Sequence, residues 1–245
     1  MARLGPAPYR RVRSVSVGKT EYVAQTVSDV RRSLLETVAE LIPRPIGDEP
    51  VLVGIDGVDG AGKSHFADEL AEVLRGRDRA VIRASVDDFH RPRSKRYRLG
   101  RYSSLGYWLD SYDYAALEEN LLGPLGSGGN RRYRTGIHDV VTDEPLDRPW
   151  RTAPPGAVLL LDGIFLHRDE LVAVWDFSVF LEVPVETSVA RMVDRDGANP
   201  DPKHPSNTRY VQGQRLYLDE CCPWERATVV VENSDWRVPV LRGRP

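Results

Sequence analysis

Residues 57–64, Gly-Val-Asp-Gly-Ala-Gly-Lys-Ser, fit the phosphate-binding loop (P-loop) pattern G-x-x-x-x-G-K-[ST]. Glycines let backbone N–H groups turn inward without Cβ clashes, and these donors form an anion site with the positive end of the following helix. The pattern predicts that Lys63 reaches the β- and γ-phosphates of a nucleotide and that the Ser64 hydroxyl holds Mg²⁺. The predicted nucleotide-binding residues are Gly57, Val58, Asp59, Gly60, Ala61, Gly62, Lys63, Ser64 and His65.

Three acidic residues follow predicted strands, and ligands of parallel sheets bind outside the carboxyl ends of the strands. Asp162 directly follows the apolar run 157–161, a position that predicts binding of Mg²⁺ directly or through a water. Asp87 and Asp88 end the second strand, where a carboxylate could accept the proton of an attacking hydroxyl. Residue chemistry alone does not decide whether Asp87 or Asp88 is the base. For both of them and for Asp162, the alternative is an ordinary role in a turn or at the end of a strand.

Arginines suit the charge of a transferring phosphoryl group, because a guanidinium stays charged and binds phosphate in a forked geometry. Arg191 and Arg195 lie four residues apart and therefore share one face of a predicted helix. We expect them to clamp phosphate or a substrate hydroxyl, with Arg209 as a weaker candidate. The alternative for these arginines is a solvated position on the surface. For the basic run at 91–101 we favour a solvated loop over a site.

Strand and helix patterns alternate around these residues. Apolar runs predict strands at 51–55, 80–85, 157–161, 177–183 and 228–231. Helical spacing predicts helices at 64–74, at 114–122 with Asp113 as the cap, at 184–195 and at 209–221. The alternation predicts an α/β fold of the P-loop NTPase type, a parallel β-sheet flanked by helices. A glycine-rich connector is predicted at 123–129 and an irregular hairpin at 131–141.

The chain divides into an N-terminal extension at 1–48 and a P-loop domain at 49–245. The extension is expected to hold a short strand at 11–17 and a helix at 26–41. Its role is open between packing on the domain and self-association. The polar, proline-rich segment at about 196–208 is expected to form part of a helical lid.

Bulk properties exclude several classes of protein. The net charge of −2 argues against an extended nucleic-acid polymer as partner, and 41% hydrophobic residues is ordinary for a globular protein. No apolar run approaches the roughly 20 residues of a membrane span, and the basic N-terminus lacks the apolar core of a secretory signal. Cys221 and Cys222 are adjacent, which favours two reduced thiols and a cytoplasmic protein.

From about residue 51 to 233 the chain resembles the uridine kinase family, within the uridine kinase and phosphoribulokinase group of P-loop kinases. Residues 87–90, Asp-Asp-Phe-His, look like the family's Asp-Ser-Phe-Tyr, whose first residue is the catalytic base, and this favours Asp87 over Asp88. Residues 161–164, Leu-Asp-Gly-Ile, resemble Phe-Glu-Gly-Ile, with Asp162 at the magnesium-linked position. Residues 187–196 resemble the helix entering the arginine-bearing lid, which implies roles for Arg191 and Arg195.

The resemblance also implies the residues that hold the acceptor, with the hairpin contributing to this site. Residues 109–113, Leu-Asp-Ser-Tyr-Asp, look like Phe-Asp-His-Pro-Asp, whose first Asp holds the ribose hydroxyls, which carries to Asp110. Tyr133 and His138 keep the five-residue offset of the pair that reads the pyrimidine base. His65 departs from the family's Thr or Ser, and His90 departs from its Tyr.

These observations imply an ATP- and Mg²⁺-dependent kinase that phosphorylates the 5′-hydroxyl of a pyrimidine nucleoside such as uridine or cytidine. The small-molecule acceptor site would consist of Asp110, Tyr133, His138 and Arg191. One alternative keeps the kinase but makes the acceptor a modified nucleoside, a sugar or another small alcohol. Another is a nucleotide-binding regulator without transfer, although a sensor does not need a base such as Asp87. ATP and GTP both stay open as donors.

Overall fold

The computed structural model describes residues 29–197, 199–201 and 204–242, without the side chains of residues 195, 196, 205 and 206. The predicted strand at 11–17 and the first residues of the helix predicted at 26–41 lie outside the described residues. The rest of that helix is present as α1 (Asp29–Leu41).

A six-stranded sheet forms the centre of the molecule, and a separate two-stranded sheet lies outside it. The strands are β1 (Val51–Gly57), β2 (Val81–Ser85), β3 (Arg132–Tyr133), β4 (Arg151–Thr152), β5 (Val158–Asp162), β6 (Phe177–Glu182), β7 (Val229–Glu232) and β8 (Val240–Arg242). The order is β2-β5-β1-β6-β7-β8, parallel throughout except for β8, which pairs antiparallel with β7. The predicted α/β fold and its five parallel strands are therefore confirmed.

Helices cover the sheet and connect its strands. They are α2 (Lys63–Arg75), α3 (Arg93–Arg96), α4 (Ser104–Asp110), α5 (Tyr114–Leu117), α6 (Gly123–Leu125), α7 (Val185–Asp196), α8 (Pro205–Cys221) and α9 (Pro223–Arg226). A π-helical turn (Glu118–Leu122) joins α5 to α6. Asp113 caps α5 as predicted, because its carboxylate accepts a hydrogen bond of 3.1 Å from the Ala116 N–H.

Apolar side chains fill both faces of the sheet. Leu34, Leu35 and Val38 of α1 are buried in one core cluster together with Phe66 and Leu70 of α2. A second cluster includes the buried leucines of the segment from α5 to α6, Leu117, Leu121, Leu122 and Leu125. The described part of the predicted extension therefore packs on the domain, which was one of its two predicted roles beside self-association.

Three local predictions were wrong. Residues 123–125 of the predicted connector are helical, because burial of Leu125 outweighs the low helix propensity of glycine. The hairpin predicted within 131–141 instead pairs β3 with the later strand β4, Arg132 opposite Thr152. Helix α8 starts at Pro205, four residues before the predicted start of that helix at 209, since proline suits the first turn of a helix. The basic run also contains a short helix, α3.

A buried polar chain ties β1 to its neighbours just before the P-loop. The Asp56 carboxylate accepts hydrogen bonds from the Gly57 N–H at 2.7 Å and from His167 Nδ1 at 2.7 Å. His167 Nε2 lies 2.9 Å from the hydroxyl of Ser178 on β6. The Tyr217 hydroxyl of α8 also donates to Asp56. A buried carboxylate needs such partners, and this one is fully provided with them.

Among the described residues, the structure contains no helix whose length and apolar character would let it cross a bilayer.

Candidate active site

The P-loop connects β1 to α2, and its shape depends on glycine. Gly60 and Gly62 have φ angles of 72° and 87°, a region that favours glycine. A Cβ on Gly60 would also lie 2.5 Å from the Ser188 carbonyl oxygen of α7. Helix α2 begins at Lys63 without a side-chain cap. Uncapped N–H groups at the start of a helix are the donors that an anion site needs, so this feature is compatible with the predicted phosphate site.

The loop's own hydrogen bonds leave several donors for a phosphate. Ala61 N–H bonds to the Val58 carbonyl at 3.1 Å, and Lys63 Nζ donates to the same oxygen at 2.9 Å. Among the described residues, the N–H groups of Gly60, Gly62 and Ser64 have no protein acceptor. His65, the predicted replacement for a hydroxyl residue, is exposed in the first turn of α2.

Ser64 and Asp162 lie together, as predicted for a magnesium site. The Ser64 hydroxyl donates to Asp162 Oδ2 at 2.7 Å, and Arg83 of β2 donates to Asp162 Oδ1 at 2.9 Å. The described residues contain no group of three or more His, Cys, Asp or Glu side chains suited to a metal. Mg²⁺ usually takes one or two protein oxygens together with substrate phosphates and waters, so this pair fits it. When bound there, Mg²⁺ would offset negative charge on the phosphates.

Replacing Ser64 by Ala is expected to raise the Mg²⁺ concentration needed for half-maximal ATP turnover by about tenfold, because one oxygen of the site is lost. Turnover measured against MgCl₂ concentration at constant total ATP tests this. Ser127→Ala, in the connector after α6, is the matched control. An unchanged Mg²⁺ requirement in Ser64→Ala would remove the hydroxyl from the metal site.

Asp87 lies in a short 3₁₀ turn (Val86–Asp88) directly after β2. Its Oδ1 accepts a hydrogen bond of 2.9 Å from the Tyr112 hydroxyl, and no described residue bonds to its Oδ2. Burial raises the pKa of Tyr112 well above its ordinary value, and the charge of Asp87 raises it further, so this hydroxyl stays a donor. Asp87 is thus held by one oxygen, with the other available to accept a proton.

Asp88, its rival, is engaged elsewhere. Its carboxylate lies 3.4 Å from Arg148 Nη2, and its carbonyl accepts from the N–H groups of Ile137 and His138. Burial raises the pKa of Asp88, opposed by the charge of Arg148. Of the two carboxylates only Asp87 lines the cavity beside the P-loop, which agrees with the preference drawn from the sequence.

A cavity of about 590 Å³ lies between the P-loop, the turn that holds Asp87, and the segment from α3 to α4. Its aromatic lining consists of Tyr97, Tyr102, Tyr107, Tyr112 and Tyr210. Its titratable and charged lining consists of Asp59, Asp87, His90, Arg96, Arg101 and Arg209. Because Asp59 belongs to the P-loop, the cavity extends from the P-loop to the turn that holds Asp87.

The predicted acceptor residues lie outside this cavity lining, each with partners of its own. Asp110 is buried and pairs with Arg98 at 3.2 Å. Tyr133 is buried in a core cluster, and His138 Nε2 lies 3.1 Å from Asp143 Oδ1. The neighbour Tyr112 faces the cavity in place of Asp110. None of the three predicted residues lines the cavity, and their role in holding the acceptor stays a prediction.

The arginines are also distributed differently from the prediction. Arg191 lies behind the P-loop, donating to the carbonyls of Gly60 at 3.2 Å and of Asn233 and Ser234 at 2.9 Å. Burial lowers the pKa of Arg191, with the charge of Arg31 adding to the effect. This placement does not present Arg191 to a phosphate or an acceptor. Arg195 lies in the last turn of α7, and its predicted role stays a prediction.

Arg209, the candidate given least weight, does line the cavity. It is 5% exposed, and its guanidinium lies over the rings of Tyr97 and Tyr107, 5.0 and 5.3 Å from their centroids. Its Nη1 donates to the Arg101 carbonyl. Two aromatic faces stabilise this buried cation, which leaves a positive charge on the cavity wall.

Solved structures of kinases share the fold. A possible uridine kinase from Bacillus stearothermophilus is 24% identical, with a TM-score of 0.63 over 82% of this chain and 96% of that one. A putative fructose transport system kinase from a Silicibacter species is 24% identical, with a TM-score of 0.61 over 77% and 94%. Phosphoribulokinase from Rhodobacter spheroides is 15% identical, with a TM-score of 0.52 over 81% and 76%.

The chain has the fold of the uridine kinase and phosphoribulokinase group of P-loop kinases. No protein-family model and no curated protein matches the chain. At these identities the structural matches show the fold, and the chemistry of the site depends on its own residues.

Several residues of the site were not predicted from the sequence. Tyr112 lies inside the motif at 109–113 but was not predicted as a site residue, although a tyrosine among acidic residues can orient a carboxylate. Arg83 gave a clearer signal, because it is a charged residue inside an otherwise apolar strand and therefore needs a partner. Ser188 and Asn233, which contact the P-loop, have no local signal in the sequence.

Proposed function

We propose that the protein is an ATP- and Mg²⁺-dependent kinase that transfers the γ-phosphoryl group to a hydroxyl of a small molecule in the cavity. The observation that carries this is the position of Asp87, whose carboxylate lines the same cavity as the P-loop residue Asp59. Tyr112 holds one of its oxygens at 2.9 Å and leaves the other free. A nucleotide sensor would have no use for such a base next to its phosphate site.

In the proposed reaction, the acceptor oxygen attacks the γ-phosphorus while its proton passes to Asp87. The new oxygen–phosphorus bond forms as the bond to the β-phosphate oxygen breaks, and ADP leaves with that electron pair. Lys63 and the N–H groups of Gly60, Gly62 and Ser64, which bond to no acceptor in the described part of the chain, would stabilise charge on the phosphates. Most of the catalytic effect is then positioning and charge stabilisation by groups that are already in place.

For the acceptor, we propose the 5′-hydroxyl of a pyrimidine nucleoside, although Asp110, Tyr133 and His138, the residues that imply it in the sequence, do not line the cavity. The rings of Tyr97, Tyr102 and Tyr112 in the cavity lining support a planar base, which can stack on aromatic side chains. His90 adds a fourth ring, 4.5 Å from that of Tyr112. The kinase fold itself also occurs in proteins named for uridine and for fructose transport, so a sugar or another small alcohol is the alternative acceptor.

Product analysis by mass spectrometry tests the proposal. The protein is incubated with Mg-ATP or Mg-GTP and with uridine, cytidine, adenosine, guanosine or a panel of sugars, beside Asp87→Asn. Uridine or cytidine monophosphate that is absent with the variant would support the full proposal. Phosphorylated sugar without nucleoside product would overturn the nucleoside and keep the kinase. Nucleotide binding without any acceptor-stimulated ATP consumption would favour a regulator instead.

A further inference from the structure

The P-loop is held from outside by side chains that bond to three successive carbonyl oxygens. The Ser188 hydroxyl donates to the Asp59 carbonyl at 2.5 Å, and Arg191 donates to the Gly60 carbonyl at 3.2 Å. The Asn233 amide donates to the Ala61 carbonyl at 2.7 Å. Ser188 and Arg191 come from α7, whereas Asn233 directly follows β7. A loop without regular secondary structure thus has a fixed outer side.

The direction of these carbonyls sets the direction of the loop's donors. In a trans peptide the C=O of one residue and the N–H of the next point to opposite sides, and the described residues contain no cis peptide. Holding the Ala61 carbonyl toward Asn233 therefore turns the Gly62 N–H away from Asn233, into the loop. Ser188 turns the Gly60 N–H in the same way. Both N–H groups lack a protein acceptor among the described residues, as an anion site requires.

Arg31 of α1 sets the orientation of the Asn233 amide. Its Nη1 donates to Asn233 Oδ1 at 3.3 Å, and because arginine can only donate, the amide oxygen must face it. The amide NH₂ is then left for the Ala61 carbonyl, which can only accept. Asn233 is 1% exposed and Arg31 is 2% exposed. Glu69 at 2.5 Å and the Trp236 carbonyl at 2.8 Å fix the guanidinium in turn.

We propose that Arg31 and Asn233 are positioning residues for nucleotide binding, acting through the Ala61 carbonyl to direct the Gly62 N–H at a phosphate. The helix of the N-terminal extension is thereby part of the nucleotide site, although its side chains lie behind the loop. The inference rests on the proposed function only in requiring that the P-loop binds a nucleotide.

Asn233→Asp is the sharpest test, because it changes one donor into an acceptor at constant size. The carboxylate still accepts from Arg31 but opposes the Ala61 carbonyl, so that peptide is released or turned. We expect the dissociation constant of Mg-ATP, measured by isothermal titration calorimetry, to rise about tenfold or more. Arg31→Met should weaken binding in the wild-type background and have little further effect in Asn233→Ala, which removes both hydrogen bonds of the amide, as expected for two members of one chain of contacts.

Asn120, in the π-helical turn between α5 and α6, offers a matched control. It is also buried, its Oδ1 accepts from Arg134 at 2.8 Å and its Nδ2 donates to the Ala116 carbonyl at 2.8 Å. Asn120→Asp therefore makes the same chemical change in the same kind of network. We expect it to lower the melting temperature without changing the Mg-ATP dissociation constant, which separates loss of positioning from loss of stability.

The outcomes are distinct from those of the proposed function. Equal Mg-ATP affinity in wild type, Asn233→Asp and Arg31→Met would overturn the inference and leave the kinase proposal standing. Equal losses of affinity in Asn233→Asp and Asn120→Asp would also overturn it, because the effect would then be general destabilisation. Selective loss in Asn233→Asp supports the inference even if no acceptor is ever phosphorylated.

Discussion

Replacing Asp87 by Asn is expected to lower kcat by a factor of about 10² or more, because the acceptor hydroxyl loses its proton acceptor at the moment of attack. The amide keeps the size of the side chain and can still accept the hydrogen bond that the Tyr112 hydroxyl now donates to Oδ1 at 2.9 Å. Ground-state binding should therefore change little. Steady-state kinetics with the acceptor identified by the product panel would show a fall in kcat with the nucleotide KM preserved.

Asp88→Asn is the natural control for this variant. The two carboxylates are adjacent in the chain, but Asp88 pairs with Arg148 and does not line the cavity. We expect its kcat to stay near that of the wild type. The reverse pattern, full turnover in Asp87→Asn and loss in Asp88→Asn, would transfer the role of base to Asp88 and contradict the site proposed above.

Lys63→Met is expected to lower kcat/KM for ATP by a factor of about 10² to 10³, the range found when a preorganised donor is removed from a developing negative charge. In the structure Lys63 Nζ donates to the Val58 carbonyl at 2.9 Å, which holds the ammonium group over the loop. Methionine retains much of the side chain's length and apolar volume, so the loss isolates the charge. Initial rates at varied Mg-ATP concentration measure the effect.

Lys95→Met, in the short helix α3, makes the same substitution away from the P-loop. We expect its kcat/KM to match the wild type. A Lys63→Met variant that turns over ATP at the wild-type rate would mean that the ammonium group does not contact the transferring phosphates. The P-loop pattern would then predict the conformation of the loop in this chain but not a catalytic contact of Lys63.

Local patterns were enough to predict the frame of the site. The P-loop, the strand before it and the helix after it are contiguous, so glycine positions and apolar spacing carry the information directly. The cap at Asp113 was predictable for the same reason, since its partner Ala116 is three residues away. Ser64 and Asp162 could be paired across the sequence because parallel strands end at the same edge of a sheet.

The direction of individual side chains was not predictable in this way. Successive residues of a helix point about 100° apart. Whether Asp110 or one of its neighbours faces the acceptor therefore depends on how α4 packs, which local patterns do not predict. Arg191 was placed on the correct helix, but whether that helix presents it to the front or the back of the P-loop depends on long-range contacts with residues 233 and 234. The partner of β3 was missed because β4 lies beyond an irregular segment.

The buried chain of Ser178, His167 and Asp56 reproduces the atomic connectivity of a serine hydrolase triad. The hydroxyl lies 2.9 Å from Nε2, and Nδ1 lies 2.7 Å from the carboxylate. Yet the three residues are 3%, 0% and 0% exposed, so no ester or amide bond can reach the oxygen. A template search by interatomic distance would retrieve this trio as a hydrolase, whereas in the molecule it links β1, β6 and the loop after β5. We therefore expect that reagents that trap nucleophilic serines do not react with Ser178.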